Sequence, residues 1–351
     1  VHRPFETIKL IFFKEQIMRF LIVGLGSMGK RRIRNLQELQ AGEIFGFDIR
    51  ADRRAEATEL YGIETFSDFD EAMDKNPDAL IISTPPDKHM QYARVAAERG
   101  KHFFTEASVV DDGMEEVMAL CEGKALVAAP SCTMRFHPSV RLIKELIEQG
   151  EIGDILGLTY HCGQYLPDWH PWEDYRSFYV AQRATGGCRE IVPFELVWLI
   201  WVLGEVETIS CFKDKLSSLD VDIDDLYQML LRFKRGTIGH LLVDVISRSP
   251  YRSCRFISER GVIEWVWSEK QVRVFKADTG EWQNYPEPEG GKTEGSFVAP
   301  VGMYVEELNA FVRAAQGEGE YPYTFAEDKR VLNLLYAAEK SSDQHLHLQV
   351  K

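Results

Sequence analysis

One stretch near the amino end constrains the fold more than any other. It reads Met18-Arg19-Phe20-Leu21-Ile22-Val23-Gly24-Leu25-Gly26-Ser27-Met28-Gly29, an apolar, β-prone run that enters Gly-x-Gly-x-x-Gly and is followed by a basic, helix-prone segment. In a β-turn-α unit each glycine has its own task. Gly24 permits the tight turn, Gly26 lets the backbone approach a pyrophosphate, and Gly29 lets the helix pack closely on the strand. Phosphates then meet the free N–H groups and the positive dipole end of a helix N-terminus. Residues 44–47 read as the next strand and deliver Asp48 at 19 residues past Gly29, where a ribose-binding acid belongs. A carboxylate there accepts from both ribose hydroxyls and repels a 2′-phosphate, which favours NAD. Arg50, Arg53 and Arg54 would neutralise such a phosphate and keep NADP open. The plain alternative is a β-turn-α unit with no ligand.

With 351 residues, 45% of them hydrophobic and 27% charged, the chain has material for two domains with true cores. Its net charge of −14 argues against nucleic acid as a partner and for a small molecule. Six cysteines stand singly, with no Cys-x-x-Cys, so neither a metal site nor a disulfide framework is expected, and a reduced, cytoplasmic setting is. The apolar patch at 8–13 is too short to span a membrane, and residues 1–17 read as an extension with no assigned role.

To about residue 130, strand-like segments (20–23, 44–47, 79–82, 102–104, 125–128) alternate with helix-like ones (30–39, 51–61, 88–99, 113–121). That alternation predicts an α/β Rossmann domain over 18–130, a doubly wound parallel sheet. Beyond residue 154 longer runs follow at 155–165, 208–213, 226–233, 237–245, 252–258, 262–267 and 272–276, with helices at 191–203 and 303–316. They predict an α+β second domain over 131–325 with a large, mostly antiparallel open sheet, able to self-associate as a homo-dimer or homo-tetramer through its exposed face. The stretch 285–295, rich in Pro and Gly, reads as a surface loop, and a last helix within 326–351, at about 326–341, returns toward the first domain.

Several motifs recur in a fixed order. Ser83-Thr84-Pro85-Pro86-Asp87-Lys88-His89, Gly100-Lys101-His102-Phe103-Phe104-Thr105-Glu106, Thr133-Met134-Arg135-Phe136-His137-Pro138 and Gly186-Gly187 together resemble the glucose–fructose oxidoreductase / inositol dehydrogenase (Gfo/Idh/MocA) family over roughly residues 18–345. The resemblance implies a nicotinamide cofactor in a cleft between the domains and redox chemistry on a sugar, nucleotide-sugar or cyclitol hydroxyl. It also implies site residues. Gly24, Gly26, Ser27, Met28 and Gly29 would cradle the pyrophosphate, and Asp48, with Ile49 and Arg50, would take the ribose. Ser83, Thr84, Pro85, Pro86 and His89 would line the groove, with Glu106, Ala107 and Thr133 near the nicotinamide. Pro85-Pro86 also reads simply as a helix start.

The departures bear on mechanism. The family's Glu-Lys-Pro lysine is replaced by Ala107, and the histidine of its active-site helix aligns with Phe194, so neither position carries a proton. Glu190, near the start of that helix and on the face of Phe194, is the first candidate for acid–base work; a helix N-terminus would favour its carboxylate form. Its alternative role is capping or pairing with Arg189 or Arg183. His161 and Tyr165 share a strand face by their even spacing, although a strand histidine also serves as a satisfied structural residue. His170 lies in an aromatic and polar run from Tyr165 to Arg176 whose rings suit a sugar. There Asp168, Trp169 and Arg176 would bind substrate, unless the loop covers the sheet edge or a subunit contact. Arg135, Arg176, Arg183 and Arg189 would together hold a carboxylate or diphosphate; singly each reads as a surface or ion-pair arginine. Three functions stay open: an NAD-dependent sugar oxidoreductase with a replaced base, an NAD-binding sensor or partner without turnover, and a lyase or glycosidase that uses NAD without net redox.

Overall fold

The structure, a computed structural model, describes residues 17–288 and 301–350. Residues 1–16 of the expected extension and 289–295 of the expected loop lie outside these. The first half runs β1 (Met18–Val23), α1 (Ser27–Glu38), β2 (Gly42–Phe47), α2 (Ala51–Tyr61), β3 (Glu64–Phe66), α3 (Phe69–Asp74), β4 (Ala79–Ile82), α4 (His89–Glu98), β5 (His102–Thr105), α5 (Met114–Cys121) and β6 (Ala128–Pro130). Its six strands are all parallel, in the order β3-β2-β1-β4-β5-β6. The order turns back at β1 and β4, and such a switch point opens a crevice at the strands' carboxyl ends. β1 is apolar on both faces: Phe20 and Ile22 join one core, Leu21 and Val23 the other.

Two elements here escaped the sequence reading. β3 has three residues and α3 six, too short for a periodicity to show; α3 is announced only by Asp68, whose carboxylate accepts from the N–H groups of Asp70 and Glu71. The strand expected at 125–128 pairs instead at Ala128–Pro130, because the uniform Ala/Leu/Val run carries no mark of where its ladder begins.

The second half adds α6 (Pro138–Glu148), also not anticipated, then β7 (Gly157–Gly163), α7 (Cys188–Leu203), β8 (Val206–Asp214), β9 (Leu226–Phe233), β10 (Ile238–Asp244), β11 (Tyr251–Ile257), β12 (Gly261–Val266), β13 (Gln271–Lys276), β14 (Glu281–Pro286), α8 (Val301–Ala315), α9 (Phe325–Gln344) and β15 (Leu348–Gln349). Nine strands pair in the order β14-β13-β12-β11-β7-β10-β9-β8-β15, antiparallel except for β7 with β10. One face packs on α7, where Tyr160 meets Trp198 edge to face at 5.3 Å; the other is open. Residues 285 and 286, expected in a loop, close the edge strand β14. The helix expected with the second half, α8, packs instead on the first: Phe311 meets Phe104 at 5.9 Å and Tyr304 lies under the Arg31 guanidinium at 4.4 Å. α9 touches the first half, Tyr336 donating to Asp111 at 2.8 Å.

Candidate active site

The glycine-rich turn is built as its sequence requires. Gly24 holds φ +94°, and a Cβ on Gly29 would stand 1.9 Å from the Gly24 carbonyl oxygen, so α1 reaches the strand only without a side chain. Gly26 is the N-cap of α1 and brings no side chain to its free N–H groups. Over it hangs the Arg53 guanidinium, 3.4 Å from where a Cβ would be. A cleft of about 910 Å³ starts at this turn and runs to α7. Its outer end carries Lys30, Arg31, Arg34, Arg50 and Arg53 against Asp52, Glu56 and Glu173. In a chain of net charge −14 this local excess of cations marks an anion site.

Asp48 is buried at the tip of β2, its two oxygens accepting from the Leu25 and Arg50 N–H groups at 2.8 Å each. Each oxygen keeps a lone pair beyond these backbone donors, although Asp48, like Gly24 and Gly29, is not itself in the cleft lining. Gly26, Ser27, Met28, Arg50, Ser83, Thr84, Pro85, Glu106, Ala107 and Thr133 all line the cleft, and the buried Thr84 hydroxyl has no partner among the described residues. Pro86 and His89 sit behind this wall; burial keeps the His89 imidazole below its ordinary pKa while Nε2 lies 2.9 Å from the Thr84 carbonyl oxygen. Ile49 points to solvent, 80% exposed, and does not line the cleft.

Two half-buried carboxylates flank the inner end. Glu106 accepts from Arg32 Nε and Nη2 at 2.8 and 2.7 Å and from Ser83 Oγ at 3.0 Å. Burial opposes its ionisation, yet the Arg32 guanidinium outweighs burial and its pKa lies below the ordinary value. Arg32 also pairs with Glu307 at 3.0 Å, and Glu307 receives the hydroxyls of Ser131 and Thr133 at 2.9 Å each. Across the cleft, Glu190 lies in the first turn of α7 with Oε1 accepting from the Tyr179 hydroxyl at 2.9 Å and Oε2 unpartnered among the described residues. Burial pushes its pKa up to about 7, the Tyr179 hydrogen bond acting against it. The helix N-terminus therefore does not win at this carboxyl, contrary to the sequence expectation. Nor does it pair with arginine: Arg189 binds Glu339 at 2.6 Å, and Arg183 binds Asp222 and Asp224 at 2.6 and 2.7 Å. α7 starts at Cys188, which puts Glu190 in its first turn and Pro193 in its second.

Other expected site residues lie elsewhere. His161 projects from the open face of the sheet, opposite the cleft, with Nε2 2.7 Å from Asp244 Oδ2. β7 ends at Gly163, so Tyr165 leaves the strand face and is covered by the Arg248 guanidinium at 3.9 Å. The four arginines do not converge, because each is spent on its own partners. Arg135 is buried with the Pro322 carbonyl and over Tyr323, Arg176 pairs with Asp174 and Asp220, and neither these two nor Arg183, Arg189 or Asp168 line the cleft. Trp169 and His170 do line it.

Sequence reasoning missed Arg32, Glu307, Tyr179 and Arg252. Arg32 had a readable signal, since Gly29, Arg32, Ile33 and Leu36 form one inward face of α1. Arg252 lines the inner cleft and is held by Glu195 at 2.5 Å and the Tyr160 hydroxyl at 3.2 Å; nothing in the β11 pattern marks it. Ala107, Thr133 and Phe194 line the cleft and also border a small cavity of about 10 Å³, the size of one water molecule, shared with Ser108 and Asp328. Among the described residues no group of His, Cys, Asp and Glu could hold a metal ion.

A parallel sheet with a glycine-rich turn at its switch point, an acid at the tip of β2 and two carboxylates at the far end of the cleft is the architecture of an NAD-binding oxidoreductase. The chain belongs to the GFO_IDH_MocA oxidoreductase family: residues 18–128 match its NAD-binding Rossmann domain and 140–264 its C-terminal domain. Among curated relatives, myo-inositol 2-dehydrogenase of Thermotoga maritima is 26% identical over 348 residues, 93% of this chain and 97% of that one. Levoglucosan dehydrogenase of Pseudarthrobacter phenanthrenivorans is 28% identical over 216 residues, 53% and 54% of the two chains. A solved levoglucosan dehydrogenase in complex with NADH superposes with a TM-score of 0.82 at 20% identity, covering 96% of this chain and all of that one.

Proposed function

We propose that this chain interconverts a hydroxyl and a keto group on a sugar, nucleotide-sugar or cyclitol with NAD, and that Glu190 handles the proton. One observation carries the reading: at the inner end of the cleft a carboxyl with a pKa of about 7 presents an unpartnered oxygen, while Tyr179 fixes its other oxygen. NAD, held by the glycine-rich turn, Asp48 and the Ser83–Pro85 wall, supplies the hydride acceptor or donor. Oxidation then needs a base for the hydroxyl proton, and a group poised near neutrality takes it in one direction and returns it in the other. Ala107 and Phe194 cannot. His170 is less suited, its pKa held low first by burial and its ring stacked between Trp172 and Phe178 at 5.2 and 5.1 Å. The dehydrogenase names of the relatives above support the substrate class.

The test is NADH absorbance with a panel of sugars and cyclitols, products followed by mass. Steady NADH formation, lost in Glu190→Gln, supports the reading. Product without net NADH makes the chain a lyase or glycosidase; NAD bound without any conversion makes it a sensor or partner.

Phe212, Leu230, Ile238, Tyr251 and Ile257 are exposed on strands of the open sheet, a surface that two copies would cover as a homo-dimer or homo-tetramer. Light scattering reads this directly. No helix among the described residues is long and apolar enough to cross a membrane, and the six cysteines are unpaired, which supports a cytoplasmic setting.

A further inference from the structure

The run between β7 and α7, read in the sequence as a platform for sugar, has its aromatic tip at the opposite end of the cleft. We propose that Trp172, backed by His170 and Phe178, covers the adenosine half of the dinucleotide. This rests on the NAD site described above. Glu173 Oε1 lies 3.9 Å from Arg50 Nη1, and Arg50 is two residues beyond Asp48, the ribose-reading acid. A base attached to a ribose on Asp48 extends toward that same corner. The His170 ring, 5.1 Å from Phe178 and inclined by 21°, lies close enough to Arg53 and Lys30 to sense their charge, and Arg53 hangs over Gly26, where the diphosphate belongs. Trp172 then stacks on His170 at 5.2 Å with 23° between planes, yet stays 69% exposed while lining the cleft. An indole supported from behind and uncovered in front is a stacking surface for a flat nucleobase. The neighbouring Trp169 is itself buried, and its indole N–H lacks a partner among the described residues although the ring lines the same cleft. A donor in that state is satisfied by a ligand oxygen, and those of the diphosphate and ribose are nearest in the chemistry of the site.

The probes are ADP-ribose, which keeps the adenosine, diphosphate and second ribose but lacks the nicotinamide, and NADH. In the wild type both quench tryptophan fluorescence. Trp172→Ala, a surface change that leaves the core intact, raises the Kd of ADP-ribose and of NADH by about five- to tenfold while the sugar KM at saturating NAD stays unchanged. Unchanged ADP-ribose affinity overturns the proposal, whether the sugar KM rises, which would make the loop a substrate platform, or nothing moves, which would make the stack simple packing. A wild type that binds neither probe sinks the NAD reading itself, an outcome separate from either.

Discussion

Glu106 and Glu190 line the same cleft, both half-buried, and their protons behave in opposite ways. Glu106 is clamped by the two-pronged guanidinium of Arg32 and stays ionised; Glu190 has only a phenol, and its pKa rises to about 7. Residue type and depth are shared, so the difference comes from the countercharge. Arg32 makes one carboxylate a fixed structural charge and its absence makes the other a movable proton. A pair of like groups pushed apart in this way is a means of dividing labour within one site.

The comparison can be broken from either side. The largest effect is expected from Glu190→Gln, which keeps shape and removes the proton acceptor: turnover falls roughly ten-thousandfold with NAD affinity intact, read by steady-state kinetics and calorimetry. Retained activity would move the role to another group. Arg32→Met leaves Glu106 and Glu307 buried without their cation and should destabilise the fold by about 3–5 kcal/mol in urea unfolding. Asp48→Ala removes the ribose acceptor and should raise the Kd for NAD roughly thirtyfold, measured by calorimetry.

The smallest effects sharpen the contrast through pH. Glu190 ionises in the unfolded chain near the ordinary 4.5 but in the native state near 7, so the native state holds the extra proton between these values. Its contribution to stability is therefore complete below pH 4.5 and is lost as pH rises to about 7, while the oxidation rate climbs over the upper part of that range. In Tyr179→Phe the carboxylate loses its hydrogen bond, and the rising limb of the pH–rate profile should move about one pH unit higher.

The path from sequence to fold was short where chemistry is local. Gly24, Gly26 and Gly29 announce their turn, and Asp48 its place, because a strand, a turn and a helix follow one another directly. β3, α3 and α6 were not visible, being short or lacking a clean periodicity. At the inner end the sequence named Glu106, Ala107 and Thr133 through the family resemblance, and Glu190 through its position on α7, which follows from helix geometry. Its partner Tyr179 comes from an irregular run where no period exists, and Arg32 from a basic stretch that reads as solvated unless its inward face is traced. Arg176, Arg183 and Arg189 failed for the converse reason: an arginine's reach is set by whichever carboxylate the fold brings near, which linear spacing does not encode.

α9 has a mechanical consequence. Along its 20 residues Lys329 pairs with Glu115, Tyr336 holds Asp111, Glu339 takes Arg189 at the start of α7, and Ser341 and Ser342 receive the N–H groups of Cys211 and Lys213 on β8. A single rod is thus tied to both halves of the molecule. To part the two halves would mean bending this rod or breaking one of its ties, and those to Glu115, Asp111 and β8 lie away from Glu190 and the glycine-rich turn.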